Sequence, residues 1–436
     1  MSAQVVLPYE ERTLANGLRV IVHADPALPL VAVNLWYHVG SRNEKPGRTG
    51  FAHLFEHLMF EGSAHVPAGH FDSLLEEAGA TNNGSTSPDR TNYWETLPSH
   101  ALELALWLES DRMGWLAAAM TQEKLDAQRD VVMNERRESY ENRPYGLAYE
   151  TILAALYPPE HPYHWPTIGS MADLEAAGLD EVLAFFATYY RPNNASLAIA
   201  GAVDPARALD LAEQWFGELP AGPPVAPVLA SPATLTEERR VVLEDDVQLA
   251  RLYLVWHSPR TFAADDAELD LAAHILARGK TARLHRRLVH DLEIAHEVRA
   301  FQDSGQLGSG FFVVVTARPG VGLAESEAVV REELGSLADV GPSDAELERA
   351  RNAIETQFVD AIQTVGGFGG KADRLNLYAF HTGDPGFVAR DLARYTAADS
   401  PAIARAVSTH LIESPPVVLG VVPRGSGSPF RGGSSG

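Results

Sequence analysis

The chain has no cysteine, too few basic residues to balance its acids, and no long apolar run. Without cysteine there are no disulfides, the redox compartment stays open, and any bound metal must be held by histidine and carboxylate groups. Thirty-five Lys and Arg against 58 Asp and Glu give a net charge of −23, which argues against binding nucleic acid or an anionic membrane. No stretch approaches the roughly 20 apolar residues of a membrane span. The start, MSAQVVLPYEERTLANG, has neither a basic n-region nor an apolar core, so the expected location is cytoplasmic, or periplasmic if a leader has been removed. What remains is an ordinary globular composition, 45% hydrophobic and 21% charged over 436 residues, enough for two or three domains.

The densest chemistry lies in Gly50 to Gly62, GFAHLFEHLMFEG. Residues four apart on a helix share a face, so His53 and His57 can bind one metal ion while Glu56 points the same way. The order H-x-x-E-H is the inverzincin arrangement, in which the glutamate is general base toward water activated by the metal. Taken alone, the motif is also readable as a solvated helix face. Two histidines do not complete a catalytic zinc site, which needs three protein ligands and an open position.

The third ligand is sought in Thr121 to Glu141, TQEKLDAQRDVVMNERRESYE, which reads as a helix with Thr121 as N-cap. Leu125, Gln128, Val132 and Glu135 share one face of it, and Glu135 is a carboxylate on an otherwise inward stripe. Glu135 follows His57 by 135 − 57 = 78 residues. Here the sequence resembles the pitrilysin family of zinc peptidases, whose H-x-x-E-H is followed at about that interval by a glutamate ligand in a run like RDVVMNE. NGLRVIVHAD, ATNNGSTSPDRTNYWETLP, HPYHWPTIGS and YYRPNNASLAIAGAVD also resemble family landmarks, in family order, and cover most of the first half.

The resemblance implies one zinc ion per chain on His53, His57 and Glu135, with Glu56 as the catalytic base. It also implies an edge strand over Thr81 to Ser87, where a peptide adds as an extra β-strand against Asn83, Gly84 and Ser85, Asn83 being the backbone-binding asparagine. Two departures stand out. Many relatives carry a second glutamate seven residues before the ligand, where this chain has Gln128, a second-shell hydrogen-bonding group without charge. Active relatives also carry, in the half without zinc, an arginine and a tyrosine seven residues apart that bind the substrate carbonyl; RLVHDLEIAHEV puts Val289 and His296 there.

Along the chain, Asn16-Gly17 between β-prone runs signals a type I′ hairpin, and Leu30 to Val39 alternates as a strand. Helices are expected near 71–78, 99–115, 121–141, 183–190 and 205–216, and strands near 80–87, 91–97 and 196–201. This is an α+β arrangement with helices on one side of a mostly antiparallel sheet. Gly217 to Thr234 is rich in Pro, Gly and Ala and reads as a linker. The expected division is a zinc-binding domain over 1–217, a linker over 218–234, a degenerate homologous domain over 235–423 and a Gly/Ser-rich flexible tail over 424–436.

The second half can be laid on the first. AELDLAAHILARGK matched at His274 to His57 places Asp270 opposite His53 and Ala273 opposite Glu56. PSDAELERARNAIETQF, with a capping box from Ser343 to Glu346, places Gln357 opposite Glu135. An internal duplication whose second copy has lost the base and most ligands follows, and the family's fold of two similar α/β-roll domains agrees. His38 reads as a strand-surface residue, His274 as helix packing, and His65, His70, His161 and His164 as surface or packing residues. Gly366 to Lys371, GGFGGK, lacks the spacing of a phosphate loop and reads as a helix break.

The function expected is a zinc-dependent endopeptidase acting on peptides or unfolded segments. Larger relatives close four such domains over a peptide, and this chain supplies two. A hetero-oligomer with a related chain carrying the Arg/Tyr pair is therefore expected. The alternatives are a homodimer using His296, a non-catalytic structural subunit, or a zinc hydrolase of small non-peptide substrates.

Overall fold

Alternating and fully apolar runs build two sheets in the computed structural model, which describes residues 5–427 and 430. The first sheet contains β1 (Glu10–Thr13), β2 (Arg19–Ala24), β3 (Leu30–Tyr37), β4 (Thr81–Thr86), β5 (Thr91–Pro98) and β6 (Ala195–Gly201), in the spatial order β1-β2-β6-β3-β5-β4. Only β2 and β6 run parallel in it. The second contains β7 (Arg239–Asp245), β8 (Arg251–Ser258), β9 (Ala295–Asp303), β10 (Ser309–Ala317) and β11 (Val417–Pro423), in the order β7-β11-β8-β10-β9, with β7 and β11 parallel. Adding five to each strand number in β2-β6-β3-β5-β4 gives the second sheet, with the parallel pair in the same place. The internal duplication is thus present in the topology, and β9 occupies the edge position that β4 holds in the first sheet.

The helices of the first half are α1 (Phe51–Leu58), α2 (His70–Glu77), α3 (Leu102–Ala119), α4 (Gln122–Arg136), α5 (Ala148–Leu156), α6 (Met171–Glu175), α7 (Leu179–Tyr189) and α8 (Pro205–Phe216). Those of the second are α9 (Asp266–Ala277), α10 (Leu323–Val340), α11 (Asp344–Ala361), α12 (Lys371–Thr382), α13 (Val388–Ala397) and α14 (Ser400–Val407). Ser343 and Glu346 form the reciprocal cap at the start of α11, with Ser343 N donating to Glu346 Oε2 at 2.9 Å and Glu346 N to Ser343 Oγ at 3.4 Å.

The chain divides into two compact units that are not continuous in sequence: residues 1–136, 165–228 and 357–390 form one, and 137–164, 229–356 and 391–436 the other. The passage from 228 to 229 falls inside the Pro-rich stretch, of which 221–235 forms neither helix nor strand. The contiguous division expected above assigned 137–164 and 357–390 the other way round. Hydrogen bonds and packing explain the difference. In the first unit, α12 lies on the sheet face opposite α1, where Trp36 Nε1 donates to Asp373 Oδ1 at 2.9 Å and Asn376 Nδ2 to Asn34 O at 2.8 Å. In the second, Ile152, Leu153 and Leu156 of α5 share a buried cluster with Val255, Val417 and Leu419. Both faces of each sheet are therefore covered, one of them by a helix that sequence order would assign elsewhere, and β3 is buried on both faces.

Two local expectations are corrected. The Asn16-Gly17 turn is not the two-residue type: Leu14 N bonds to Leu18 O at 2.9 Å and Gly17 takes φ +91°, a three-residue loop closed by a left-handed glycine. The side chain of Asn16 is drawn inward to donate to Phe216 O and Leu219 O at 2.7 and 3.0 Å. The helix expected over 121–141 is regular only to Arg136, and 137–141 winds as a wider turn. Of the Gly/Ser-rich tail, 428–429 and 431–436 lie outside the described residues.

Candidate metal centre

α1 opens at Gly50, which has φ +88° and no room for a side chain, since a Cβ would lie 2.7 Å from Ile168 O. Its first N–H groups are capped from outside by the buried carboxylate of Glu44, which accepts from Gly50 N at 3.0 Å and Ala52 N at 2.8 Å. Trp165 Nε1 donates to the same carboxylate at 3.1 Å. The helix start is thereby fixed three residues before His53.

One turn apart on α1, the rings of His53 and His57 lie with centroids 4.9 Å apart. α4 starts at Thr121, whose hydroxyl accepts from Lys124 N at 3.3 Å, and buries Leu125 and Val132. The same face carries Glu135, with Oε2 at 3.7 Å from His53 Nε2 and 3.4 Å from His57 Nε2. Four ligands about 2.0–2.1 Å from a tetrahedral zinc stand roughly 3.3–3.4 Å from one another, so the spacing of these three atoms fits such an ion. Among the described residues this is the one group of three histidine or acidic side chains so placed. Burial pushes the His53 imidazole down to about 4, which keeps it in the neutral form that ligates metal. The contact with His57 holds the Glu135 carboxyl below its usual range.

Glu56 stands apart from the three. Its Oε2 accepts a 2.6 Å hydrogen bond from Thr86 on β4, leaving its other oxygen for a substrate or water. Burial pushes this carboxyl up, and the Thr86 bond pulls it back. A Cβ on Gly84 would press on Glu56 Cγ and on the Tyr93 ring, each at 3.2 Å, so glycine lets β4 run close to the base. Gln128 donates to Glu61 Oε1 at 2.7 Å, in the turn after α1; its amide ties α4 to that turn and is not bonded to a ligand.

β4 pairs with β5 on one side, and among the described residues nothing pairs with its other edge. Ser87 N bonds to Arg90 O at 2.8 Å, which sets the alternation so that 81, 83 and 85 face β5 with their backbone groups while 82, 84 and 86 turn theirs outward. The outward Gly84 N donates to the side chain of Asn83 at 2.8 Å. Ser85 is braced from behind, its carbonyl and hydroxyl accepting from Arg90 Nη1 at 2.9 and 2.8 Å. Asn83, Gly84 and Ser85 thus lie together on an open edge beside Glu56.

Sequence reasoning did not find Thr86, Arg90, Glu44 or the buried cluster under the site. Thr86 was findable, because strand alternation puts it on the same face as Gly84. The cluster consists of Arg112, whose Nε donates to Glu109 at 2.8 Å and whose Nη2 lies 3.6 Å from Glu95, with its guanidinium 4.2 Å from the Tyr93 ring centre. All three charged side chains are buried, and nothing in the composition of α3 marks them.

In the second half, the α9 positions matched to the ligands hold no such group. Asp270 accepts from Gln302 Nε2 and Tyr395 Oη, each at 2.8 Å, and burial pushes its carboxyl up to about 6. Val289 is half-buried in the turn His285–Asp291, and His296 is exposed near the start of β9. The other histidines find local partners: His38 on Ser196 Oγ at 3.2 Å, His65 on Asp111, His161 stacked on Tyr157, and His164 on Tyr157 O at 2.8 Å. His70 is exposed at the start of α2.

Known proteins with similar sequences bear on this geometry. The family profile described as "Insulinase (Peptidase family M16)" matches residues 19–161, which include His53, Glu56, His57 and Glu135, and "Peptidase M16 inactive domain" matches 177–354. A zinc protease of Helicobacter pylori, PqqE, is 30% identical over 372 residues, which cover 84% of this chain and 82% of that protein. The probable mitochondrial-processing peptidase subunit beta of Arabidopsis thaliana is 23% identical over 360 residues, 80% of this chain and 66% of that protein. The crystal structure of a protease from Helicobacter pylori superposes with a TM-score of 0.87 at 25% identity, over 96% of this chain and all of that one.

Proposed function

This chain belongs to peptidase family M16, the insulinase and pitrilysin family, and on that premise we propose that it is a zinc-dependent endopeptidase. One observation carries the reading: two imidazole nitrogens and a carboxylate oxygen stand at zinc-ligand spacing with a separate, half-buried carboxylate, Glu56, beside them. In this reading His53, His57 and Glu135 would hold the metal, and zinc, when bound, would supply Lewis acidity to the substrate carbonyl and water beside Glu56. Glu56 takes a proton from the attacking water and delivers it to the leaving amine, while Thr86 fixes its carboxylate orientation. The outward backbone groups of 82, 84 and 86 pair with an extended substrate, and the Asn83 side chain gives up Gly84 N to bind the substrate backbone. Strand pairing favours short or unfolded peptides, and this argues against a small non-peptide substrate.

The partner follows from what the second half lacks. Val289 offers no hydrogen-bond donor where active relatives have arginine, and such donors are typically worth on the order of a hundredfold in turnover. A related chain with an intact Arg/Tyr pair supplies them in a hetero-oligomer. A homodimer is the second reading, favoured by the exposure of His296 on the edge strand β9. Peptide turnover by the purified chain, alone and with any co-purifying relative, separates them. Activity only with the relative supports the hetero-oligomer; full activity alone that His296→Ala abolishes supports the homodimer. Folded, zinc-loaded protein that cleaves no peptide under either condition points to the structural-subunit alternative.

A further inference from the structure

The glycine-rich segment between α11 and α12, which sequence spacing excluded as a phosphate loop, lies in the same compact unit as β4 and crosses the face of the first sheet opposite α1. Its glycines are demanded by geometry. Gly367 and Gly369 take φ +77° and +74°. A Cβ on Gly366 would collide with Thr96 Oγ1 and Ala32 Cβ, at 2.0 and 2.8 Å, and one on Gly370 would lie 2.3 Å from Gly366 O. The segment is also tied down: Gly369 N donates to Asp373 Oδ2 at 2.8 Å, Arg374 Nε to Gly369 O at 3.1 Å, and Lys371 N to Thr364 O at 3.0 Å.

This fixed loop holds one large apolar side chain in solvent. Phe368 is 51% exposed and meets Trp94 of β5 edge-on, ring centres 5.6 Å apart. Trp94 is paired in register with Asn83 of β4, so the two side chains share a face. The side chains of β4 on that face, Thr81, Asn83 and Ser85, are short and polar, and Trp94 behind them is partly exposed.

We propose that Phe368 and Trp94 form a subsite for a large apolar side chain of a peptide paired on β4. The inference rests on the strand-addition reading above. Side chains of an added strand alternate between the α1 face, beside Glu56, and the opposite face. Those of the second set stand next to Asn83 and Ser85; the added strand lies two strand spacings, about 9.5 Å, from β5, so only a long side chain, a leucine or better an aromatic, leaning over these short residues meets Trp94 and Phe368. The subsite therefore selects at substrate positions of one parity relative to the scissile bond, and leaves the other parity to the α1 face.

The test is cleavage-site profiling of a random peptide pool by the zinc-loaded full chain with any co-purifying partner, comparing wild type, Phe368→Ala and Phe368→Leu. Binding of the best-cleaved peptide to Glu56→Gln and to Glu56→Gln/Phe368→Ala is measured alongside. The expected result is a preference for large apolar residues at positions of one parity that weakens about tenfold in Phe368→Ala and is largely kept in Phe368→Leu. Preferences of the other parity, zinc content and the melting curve stay as in wild type. A Phe368→Ala profile identical to wild type overturns the subsite while leaving the peptidase reading intact. A folded, zinc-loaded wild-type protein that neither cleaves nor binds peptide overturns both.

Discussion

Replacing Glu44 with alanine should loosen the start of α1 and, through it, the metal centre. The carboxyl is 8% exposed and accepts three hydrogen bonds, from Gly50 N, Ala52 N and Trp165 Nε1. Its removal strands these N–H groups where water has little access, at about 1–3 kcal/mol for each donor left unpaired. Burial pushes this carboxyl up to about 8, so at neutral pH it caps the helix largely in its neutral form and no charge–dipole contribution is added. Partial rehydration of the stranded donors returns some of their cost, so the net local cost is about 4 kcal/mol, roughly a thousandfold in the opening equilibrium of the first turn. A two-unit chain has no single well-defined unfolding free energy, so the readout is local: amide hydrogen exchange in 51–58, together with zinc affinity. Exchange should speed by about a thousandfold and zinc affinity fall at least tenfold, because His53 sits in the turn that loosens. Unchanged protection of these amides and unchanged zinc affinity in Glu44→Ala would refute the reasoning.

Other consequences can be checked independently. Thr86→Val should lower kcat about tenfold with zinc content unchanged, and Thr86→Ser should restore it, as steady-state kinetics on any cleaved peptide will show. Arg112→Met removes the cation from a buried cluster in which burial already pushes the Glu95 carboxyl up, and should speed amide exchange in α3 and β5 by at least about a hundredfold, read by hydrogen exchange of the first unit. Glu346 is held down to about 2 by Arg283, so its folded pKa lies below its unfolded value. The stability this confers is fully present above the ordinary carboxylate pKa of about 4.5 and is lost as pH falls toward about 2. After allowance for partial exposure it amounts to about 2 kcal/mol. Glu346→Gln should therefore be less stable than wild type at pH 7, with the difference shrinking to about a quarter by about pH 2.5, measured by denaturant midpoints.

The residues of the candidate site were legible because their chemistry is written in local spacing. His53, Glu56 and His57 share one helix face by the i, i+4 rule, and Glu135 stands out as a carboxylate on an inward stripe. The duplication was legible because α9 repeats the pattern of α1, whereas the edge strand over Asn83, Gly84 and Ser85 was legible through the family resemblance, its Asn and Gly residues being poor strand formers. What escaped depends on pairings distant in sequence. Asp373 is an ordinary acid in α12 until Trp36 and Asn92, more than 250 residues earlier, are found donating to it, so nothing local assigns α12 to the first sheet. Glu44 reads as a loop acid, and only the left-handed start at Gly50 explains why α1 takes its cap from outside the helix. The Asn16-Gly17 turn misled because the side chain of Asn16 has a second use, binding the end of α8.

The central claim is that His53, His57 and Glu135 hold zinc while Glu56 acts on water without touching the metal. Metal analysis of the purified wild type, His57→Ala and Glu56→Gln, paired with peptide turnover, tests it most directly. About one zinc per chain in wild type and Glu56→Gln, little in His57→Ala, and cleavage abolished in both variants is the result predicted. A folded Glu56→Gln that has lost its zinc, or a His57→Ala that keeps both metal and activity, would contradict it.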